Sequence, residues 1–133
     1  MHSDCTLVAA TPGIREFGTG ATRDTAAGKF GIEGYLSPEV LDRYYRYMEK
    51  NQHLGDGTVR GSDNWQSMFG PTPEAHCQVC LESLLRHVHD LWLFHRGAKG
   101  RDTIEDALAG ILFNAHAYWF GIIKKEKSDG IKK

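Results

Sequence analysis

The sequence predicts an all-α protein in which three helices form a small oligomeric bundle, preceded by an irregular glycine-rich arm. Two stretches, at 37–39 and 72–74, each combine a capping residue, a proline and an acid, which is typical of a helix start. Apolar residues then recur at helical spacing, and no alternation of strands and helices is visible. Ten of the 15 glycines lie before residue 71. We expect a single domain over 1–133, with the arm at 1–37, the helical core at 38–126 and a basic tail at 127–133.

The charge balance argues against two classes of partner, nucleic acid polymers and anionic membranes. The 133 residues carry 16 basic and 17 acidic side chains, so the net charge is −1. A protein that coats a nucleic acid polymer or an anionic membrane needs a strong basic excess, and neither partner is expected. No secretory leader and no apolar run of about 20 residues is visible. We therefore predict a cytoplasmic protein.

The first helix is expected at about 38–53. Ser37 supplies the cap, Pro38 occupies the first helical position, and apolar residues follow at intervals of three and four. Gly55 and Gly57 end the helix. Residues 54–72 are then predicted to form a polar loop.

The second helix is expected to begin after Thr72 and to end at Gly97. Its apolar stripe consists of Leu81, Leu84, Leu85, Val88, Leu91 and Trp92. Glu82, Arg86 and Asp90 follow one another at intervals of four residues on the opposite side, where acids of a surface helix normally face water. The stripe is therefore predicted to face the core of the bundle.

The third helix is expected to begin at Asp102 or Thr103 and to run to about Lys125. It is apolar on every side, and three helices of this size cannot cover it, so we predict a homo-oligomer, from a dimer to a hexamer. Asp106 and Asn114 are polar groups within this buried helix, and buried polar groups need partners. They form either an internal hydrogen-bond network or the wall of a site, and Gly110 leaves a gap for a ligand or a neighbouring backbone.

Carboxylates on all three helices give the sequence a candidate metal site. Hard cations such as Mg²⁺ or Mn²⁺ take oxygen ligands and bridge nucleotide phosphates, and a helical bundle can direct carboxylates inward. The candidate ligands are Glu49, Glu82, Glu105 and Asp106.

In the arm, Arg23 and Lys29 lie among flexible backbone amides that can hold phosphate. Cys77 and Cys80 are interpreted as two small helix residues, because zinc needs four ligands and no second CxxC exists.

Several short motifs, taken in order, resemble a known family. The motifs are Gly20-Ala21-Thr22-Arg23-Asp24 with Gly28-Lys29, Asn64-Trp65, Leu84-Leu85-Arg86-His87, and Glu105-Asp106-Ala107-Leu108 with Asn114. This order over roughly residues 15–120 is similar to phage proteins of the dATP/dGTP diphosphohydrolase N-terminal-domain family, which are MazG-like, all-α nucleotide pyrophosphohydrolases. The resemblance implies an oligomeric helical fold. It also implies metal-dependent hydrolysis of a purine deoxynucleoside triphosphate to the monophosphate and pyrophosphate.

The first functional hypothesis is this hydrolysis. Asp106, with Glu82, Glu49 or Glu105, would hold the metal, and His87 would orient or protonate the reacting group. Basic side chains would offset the phosphate charge, and an aromatic ring and amides would contact the base. The expected substrate-binding residues are Arg23, Asp24, Lys29, Asn64, Trp65, Arg86 and Asn114.

The second hypothesis is binding without turnover. The histidine that commonly follows the aspartate in the family is Ala107 here, and Glu82 is not followed by an acid at position 85. A phage protein that sequesters a nucleotide or a nucleotide-derived immune signal would use the same arm and helices. Both hypotheses predict a nucleotide ligand.

Overall fold

Three α-helices account for most of the chain, which confirms the predicted all-α class. The computed structural model describes residues 14–16, 18, 20–25 and 27–131. The helices are α1 (Pro38–Gln52), α2 (Pro73–His95) and α3 (Ile104–Ile131), and a short 3-10 helix (Asn64–Met68) precedes α2. The chain divides between Leu41 and Asp42 into two compact units.

The first unit contains a short antiparallel strand pair. Strands β1 (Ile14–Glu16) and β2 (Thr22–Asp24) pair with Arg15 opposite Arg23. Gly20 lies between them with φ of +85°, a left-handed conformation that glycine adopts without strain. The sequence did not predict this pair, because strands of three residues are too short to display an alternating pattern. The start of α1 agrees with the prediction, since the Ser37 hydroxyl accepts a hydrogen bond of 3.3 Å from the Val40 amide.

In the second unit, α2 and α3 form an antiparallel hairpin with closely packed backbones. An ideal Cβ placed on Gly121 would lie 2.5 Å from Cys77 Sγ, near the start of α2. Further along the hairpin, a Cβ on Gly110 would lie 2.5 Å from the His87 ring. The face that α3 turns toward α2 is therefore built from small residues. We call this face the small-residue seam, and its buried members are Ala107, Gly110, Asn114, Ala117 and Gly121.

Phe69 lies at the centre of the apolar core, with only 1% of its surface exposed. Its ring packs edge-on against Phe120 at 5.4 Å and His76 at 4.7 Å between centroids. The ammonium of Lys124 donates a hydrogen bond of 2.6 Å to the Phe69 carbonyl, which satisfies that backbone group. The core is thus an aromatic cluster between the 3-10 helix and the hairpin.

The orientation predicted for α2 is only partly right, because Leu84 and Leu91 are half-buried but the other four residues of the stripe are exposed. Leu85 and Trp92, from the predicted core-facing stripe, are exposed, whereas Asp90 is only 3% exposed. The small-residue seam instead receives His87 at Gly110 and Cys77 at Gly121, which fill the space that the two glycines leave. Asp90 can be buried because the Arg101 guanidinium pairs with it.

The third helix extends six residues beyond its predicted end at Lys125. Lys125 bonds to Glu74 of α2 at 2.9 Å and lies 3.5 Å from Asp129, one turn further along α3. These pairs connect the final turns of α3 to each other and to α2, which explains why the helix does not end at the lysine cluster. Over the part of the chain that the structure describes, no helix is long and apolar enough to cross a membrane.

Candidate functional site

An open groove of about 600 Å³ lies beside the C-terminal half of α2. One wall is α2 itself, and the other is the loop of residues 96–103 that leads to α3. The groove is lined by Leu85, Arg86, His89, Asp90, Leu93, Lys99, Gly100 and Arg101. Its volume is within the range of small-molecule sites, and its lining combines leucines with convergent charged groups.

Asp90 and Arg101 connect the two walls of this groove. Two nitrogens of the Arg101 guanidinium contact Asp90 Oδ2: the distance is 2.9 Å for Nε and 2.7 Å for Nη2. The backbone amide of Arg101 donates a hydrogen bond of 3.3 Å to Asp90 Oδ1. These bonds hold the pKa of the Asp90 carboxyl below its usual value. A Cβ on Gly100 would lie 3.1 Å from Asp90 Cβ, so the loop backbone lies directly against α2. The buried carboxylate therefore fixes the position of the loop.

The groove retains two cations that have no acidic partner. Arg86 and Lys99 are exposed and form no ion pair with any residue in the described ranges. Asp90 is the only acid among the lining residues, and Arg101 already neutralises it. The groove thus has an excess of positive charge, which suits an anionic ligand.

A smaller cavity of about 240 Å³ adjoins the groove, and the two share His89 and Leu93. Its remaining lining residues are Trp92 and Arg96, at the C-terminal end of α2. Trp92 is 59% exposed, so much of its indole is available for contact. A charged compartment and an aromatic one therefore lie side by side on α2.

His87, the predicted catalytic histidine, faces the small-residue seam. Its Cε1 and Nε2 atoms each lie 2.5 Å from the position of a Cβ on Gly110, so the imidazole fills the gap that this glycine leaves. Burial lowers the pKa of His87, and the Arg101 guanidinium lowers it further. The neutral ring acts as a packing group between α2 and α3, and its assignment to catalysis stays a prediction.

This environment predicts a pH dependence of stability. The pKa of His87 in the folded protein lies below the unfolded value of 6.5, so the unfolded chain binds a proton first as the pH falls. The contribution of neutral His87 is complete above pH 6.5 and decreases as the pH falls from there toward the folded pKa. We expect the urea midpoint to decrease between pH 7.5 and pH 5.5, and to decrease less in His87→Gln.

His95→Gln provides the matched control, since His95 is exposed at the end of α2. It should keep the pH dependence of the unmodified protein. The charged groups that act on His87 are Arg86, Asp90, Arg101 and Asp102. Equal midpoint shifts in His87→Gln and the unmodified protein would contradict the assignment.

Two of the predicted metal ligands contact cations of α1. Glu105 forms an ion pair with Arg43, and Asp106 Oδ1 accepts a hydrogen bond of 3.0 Å from Lys50. This bond raises the pKa of Lys50. The carboxylates stabilise the contact between the first turn of α3 and α1, and each already has a positive partner.

The other two predicted ligands, Glu49 on α1 and Glu82 on α2, are exposed. Among the residues that the structure describes, no group of three or more His, Cys, Asp and Glu side chains could hold a metal ion. The described side chains therefore do not fit a divalent metal site, because Mg²⁺ requires converging oxygen ligands that are free to coordinate. Magnesium or manganese stays a prediction from the sequence.

Trp65 and Asn114 contact other residues inside the second unit. The Trp65 ring lies edge-on to Phe120 at 5.0 Å and to Phe113 at 5.6 Å between centroids. The buried Asn114 amide donates a hydrogen bond of 2.8 Å to the Gly110 carbonyl of its own helix. Asn64 is exposed at the start of the 3-10 helix. The predicted contacts of these three residues with a nucleotide stay untested.

The predicted phosphate-binding residues of the arm lie in the first unit. Arg23 and Asp24 belong to β2, and Lys29 follows a turn, all three being exposed.

In the second unit, Cys77 and Cys80 are buried, and burial raises the pKa of each thiol. Such thiols are poor nucleophiles and poor metal ligands, in agreement with their interpretation as small helix residues.

The sequence indicates Arg86 as a binding residue, but it does not indicate the other charged residues that line the groove. Lys99 and Arg101 lie in a loop without periodic pattern, and Asp90 was assigned to the solvent side of α2. The available signal was the sequence Lys99-Gly100-Arg101, in which a glycine brings two cations close to the preceding helix.

Comparison of the chain with family models, curated proteins and solved structures gave no match.

Proposed function

We propose that this protein binds a nucleotide through the groove beside α2, without requiring a metal ion. The observation that carries the proposal is the pair of unpartnered cations, Arg86 and Lys99, in a groove whose only carboxylate is neutralised by Arg101. Phosphate groups form charge-assisted bonds with such side chains. The groove volume of about 600 Å³ is sufficient for a small phosphorylated molecule.

The direct test is a calorimetric titration with the common ribo- and deoxyribonucleoside triphosphates in the presence of EDTA. We expect binding without metal, with an affinity that decreases as salt is added, because salt screens exposed charges. Bound nucleotide should also raise the melting temperature of the protein. If none of the triphosphates binds at low salt, nucleotide sequestration is excluded.

Metal-dependent hydrolysis of a purine nucleoside triphosphate, which the resemblance implies, is the second candidate. Its candidate ligands Glu105 and Asp106 are adjacent in the first turn of α3, and each would have to leave its cation of α1 to hold a metal ion. The same triphosphates, incubated with Mg²⁺ or Mn²⁺ and separated by chromatography, decide between turnover and binding. Release of pyrophosphate would establish hydrolysis, and its persistence in Asp106→Ala would reject Asp106 as the metal ligand. Intact nucleotide would favour sequestration.

We further propose that copies of the chain associate through the outward face of α3. The opposite face contacts α2, while large apolar side chains remain exposed along the outward one, including Trp119 with 69% exposure. The others are Ile104, Leu108, Leu112 and Ile122. Contiguous apolar surface of this kind is characteristic of interfaces in homo-oligomers.

Light scattering coupled to gel filtration tests this association. We expect the unmodified chain to elute as an oligomer, and the double variant Trp119→Glu/Ile122→Glu to shift toward the monomer, because it places charges within the apolar face. Phe30→Glu is the control, since Phe30 is exposed but lies in the first unit. A monomeric mass at every concentration of the unmodified chain would reject the interface.

A further inference from the structure

We infer that Trp92 is the platform on which the base of the bound nucleotide stacks. This inference rests on the proposed nucleotide-binding function and adds a second compartment to it. The supporting geometry is the smaller cavity, lined by Trp92, Arg96, His89 and Leu93, which adjoins the cationic groove. The shared residues, His89 and Leu93, make the two cavities one continuous surface.

The spacing along α2 suits a ligand with an anionic end and an aromatic end. Arg86 and Trp92 are six residues apart, which corresponds to about 9 Å along a helix axis. A nucleoside triphosphate is long enough to span this distance. Its phosphates would contact the cations of the groove, while its base would reach the indole.

The chemistry of the smaller cavity also suits a nucleobase. Trp92 presents an exposed indole, and the Arg96 side chain belongs to the same cavity. Indole rings stack on the faces of all bases, and guanidinium groups stack on bases or donate to their polar edges. Trp92 is more than half exposed, so the packing of α2 on α3 leaves much of its ring available.

The test compares a nucleotide with its phosphate chain alone. Calorimetric titrations in EDTA would use adenosine triphosphate and inorganic triphosphate, so that the ratio of the two affinities isolates the contribution of the nucleoside. We expect the unmodified protein to bind adenosine triphosphate about tenfold more tightly, in line with the stacking of one base on an aromatic ring. The nucleotide, and not triphosphate, should quench the tryptophan fluorescence of the unmodified protein, and Trp92→Phe should lose this quenching.

Two substitutions at the same position separate stacking from apolar contact. Trp92→Leu should bind triphosphate normally and lose the tenfold preference for the nucleotide, whereas Trp92→Phe should keep most of it. Tyr45→Leu, which alters an exposed aromatic ring of α1 outside both cavities, should keep the full preference. Retention of the full preference in Trp92→Leu would refute the platform and leave the phosphate groove intact.

Two other outcomes would also overturn the inference. If Trp92→Leu weakens both ligands equally and changes the oligomeric mass, Trp92 is an interface residue and not a base platform. If triphosphate and nucleotide both fail to bind the unmodified protein, the proposed function fails, and the platform fails with it. Binding of triphosphate without any preference for the nucleotide would eliminate the platform alone.

Discussion

Gly121→Ala is expected to lower the free energy of unfolding by about 3 kcal/mol, at the upper end of the range for overpacked cores. The added Cβ would lie 2.5 Å from Cys77 Sγ and 2.6 Å from Cε1 of Phe69, distances that real Cβ contacts do not reach. Phe69 cannot move aside, because its ring is fully buried within the aromatic core. The intrinsic preference of helices for alanine, about 1 kcal/mol, would offset only part of this cost.

Gly130→Ala is the matched control for this substitution. Gly130 lies on the same helix, and no atom approaches its Cβ position within 4 Å. The control should be neutral or stabilised by up to about 1 kcal/mol, since the helical preference acts without a clash. Urea denaturation of the three proteins at one protein concentration measures the difference. If both variants have the same stability, the hairpin is not packed as closely as described.

Removal of the two unpartnered cations of the groove should have the largest effect on binding. In the double variant Arg86→Gln/Lys99→Gln, we expect the affinity for a nucleoside triphosphate to decrease by 10- to 100-fold, since exposed charge-assisted bonds contribute about 1 kcal/mol each. The salt dependence of binding should also decrease, because fewer charges remain to be screened. Isothermal titration calorimetry at two salt concentrations measures both effects.

The control removes one arginine and one lysine elsewhere in the same unit. Arg60→Gln/Lys127→Gln changes the net charge equally, and both side chains are exposed and lie outside the groove. Its affinity should remain within twofold of that of the unmodified protein. A similar loss of affinity in the two double variants would mean that overall charge, and not the groove, attracts the nucleotide.

The start signals of the helices could be predicted from the sequence because they depend on local chemistry. Ser37 with Pro38, and Thr72 with Pro73, begin α1 and α2 at the expected positions. The Ser37 hydroxyl caps α1, whereas Thr72 forms no side-chain cap bond, and the fixed φ of Pro73 favours the start of α2. The all-α class followed from the same local signals.

The facing of α2 could not be predicted because it depends on α3. A periodic stripe shows that a helix has an apolar side, but it does not show what the neighbouring helix can accept. The seam at Gly110 and Gly121 accepts His87 and Cys77, and the larger apolar side chains are left outside. Gly110 was expected to leave a gap for a ligand or a backbone, and a side chain of the same chain fills it.

The groove was only partly predictable for a related reason. Arg86 was identified by its sequence motif, whereas Lys99 and Arg101 reach the same place through a loop whose path depends on the Asp90 carboxylate. An ion pair between a helix and a loop leaves no periodic trace in a sequence. The expected metal ligands illustrate the converse, since Glu105 and Asp106 had suitable chemistry but contact Arg43 and Lys50 instead.

The bond between Asp90 and Arg101 also has a consequence for the order in which the hairpin forms. It closes a loop of only 11 residues, whereas the contact of Cys77 with the Tyr118 carbonyl closes one of 41. The entropy lost on closing a loop increases with its length, so contacts near the turn form at the lowest cost. Each contact shortens the loop that remains for the next one, and assembly can proceed from the turn toward Phe69. A chain organised in this way has low contact order at its turn, a property of rapidly folding helical proteins.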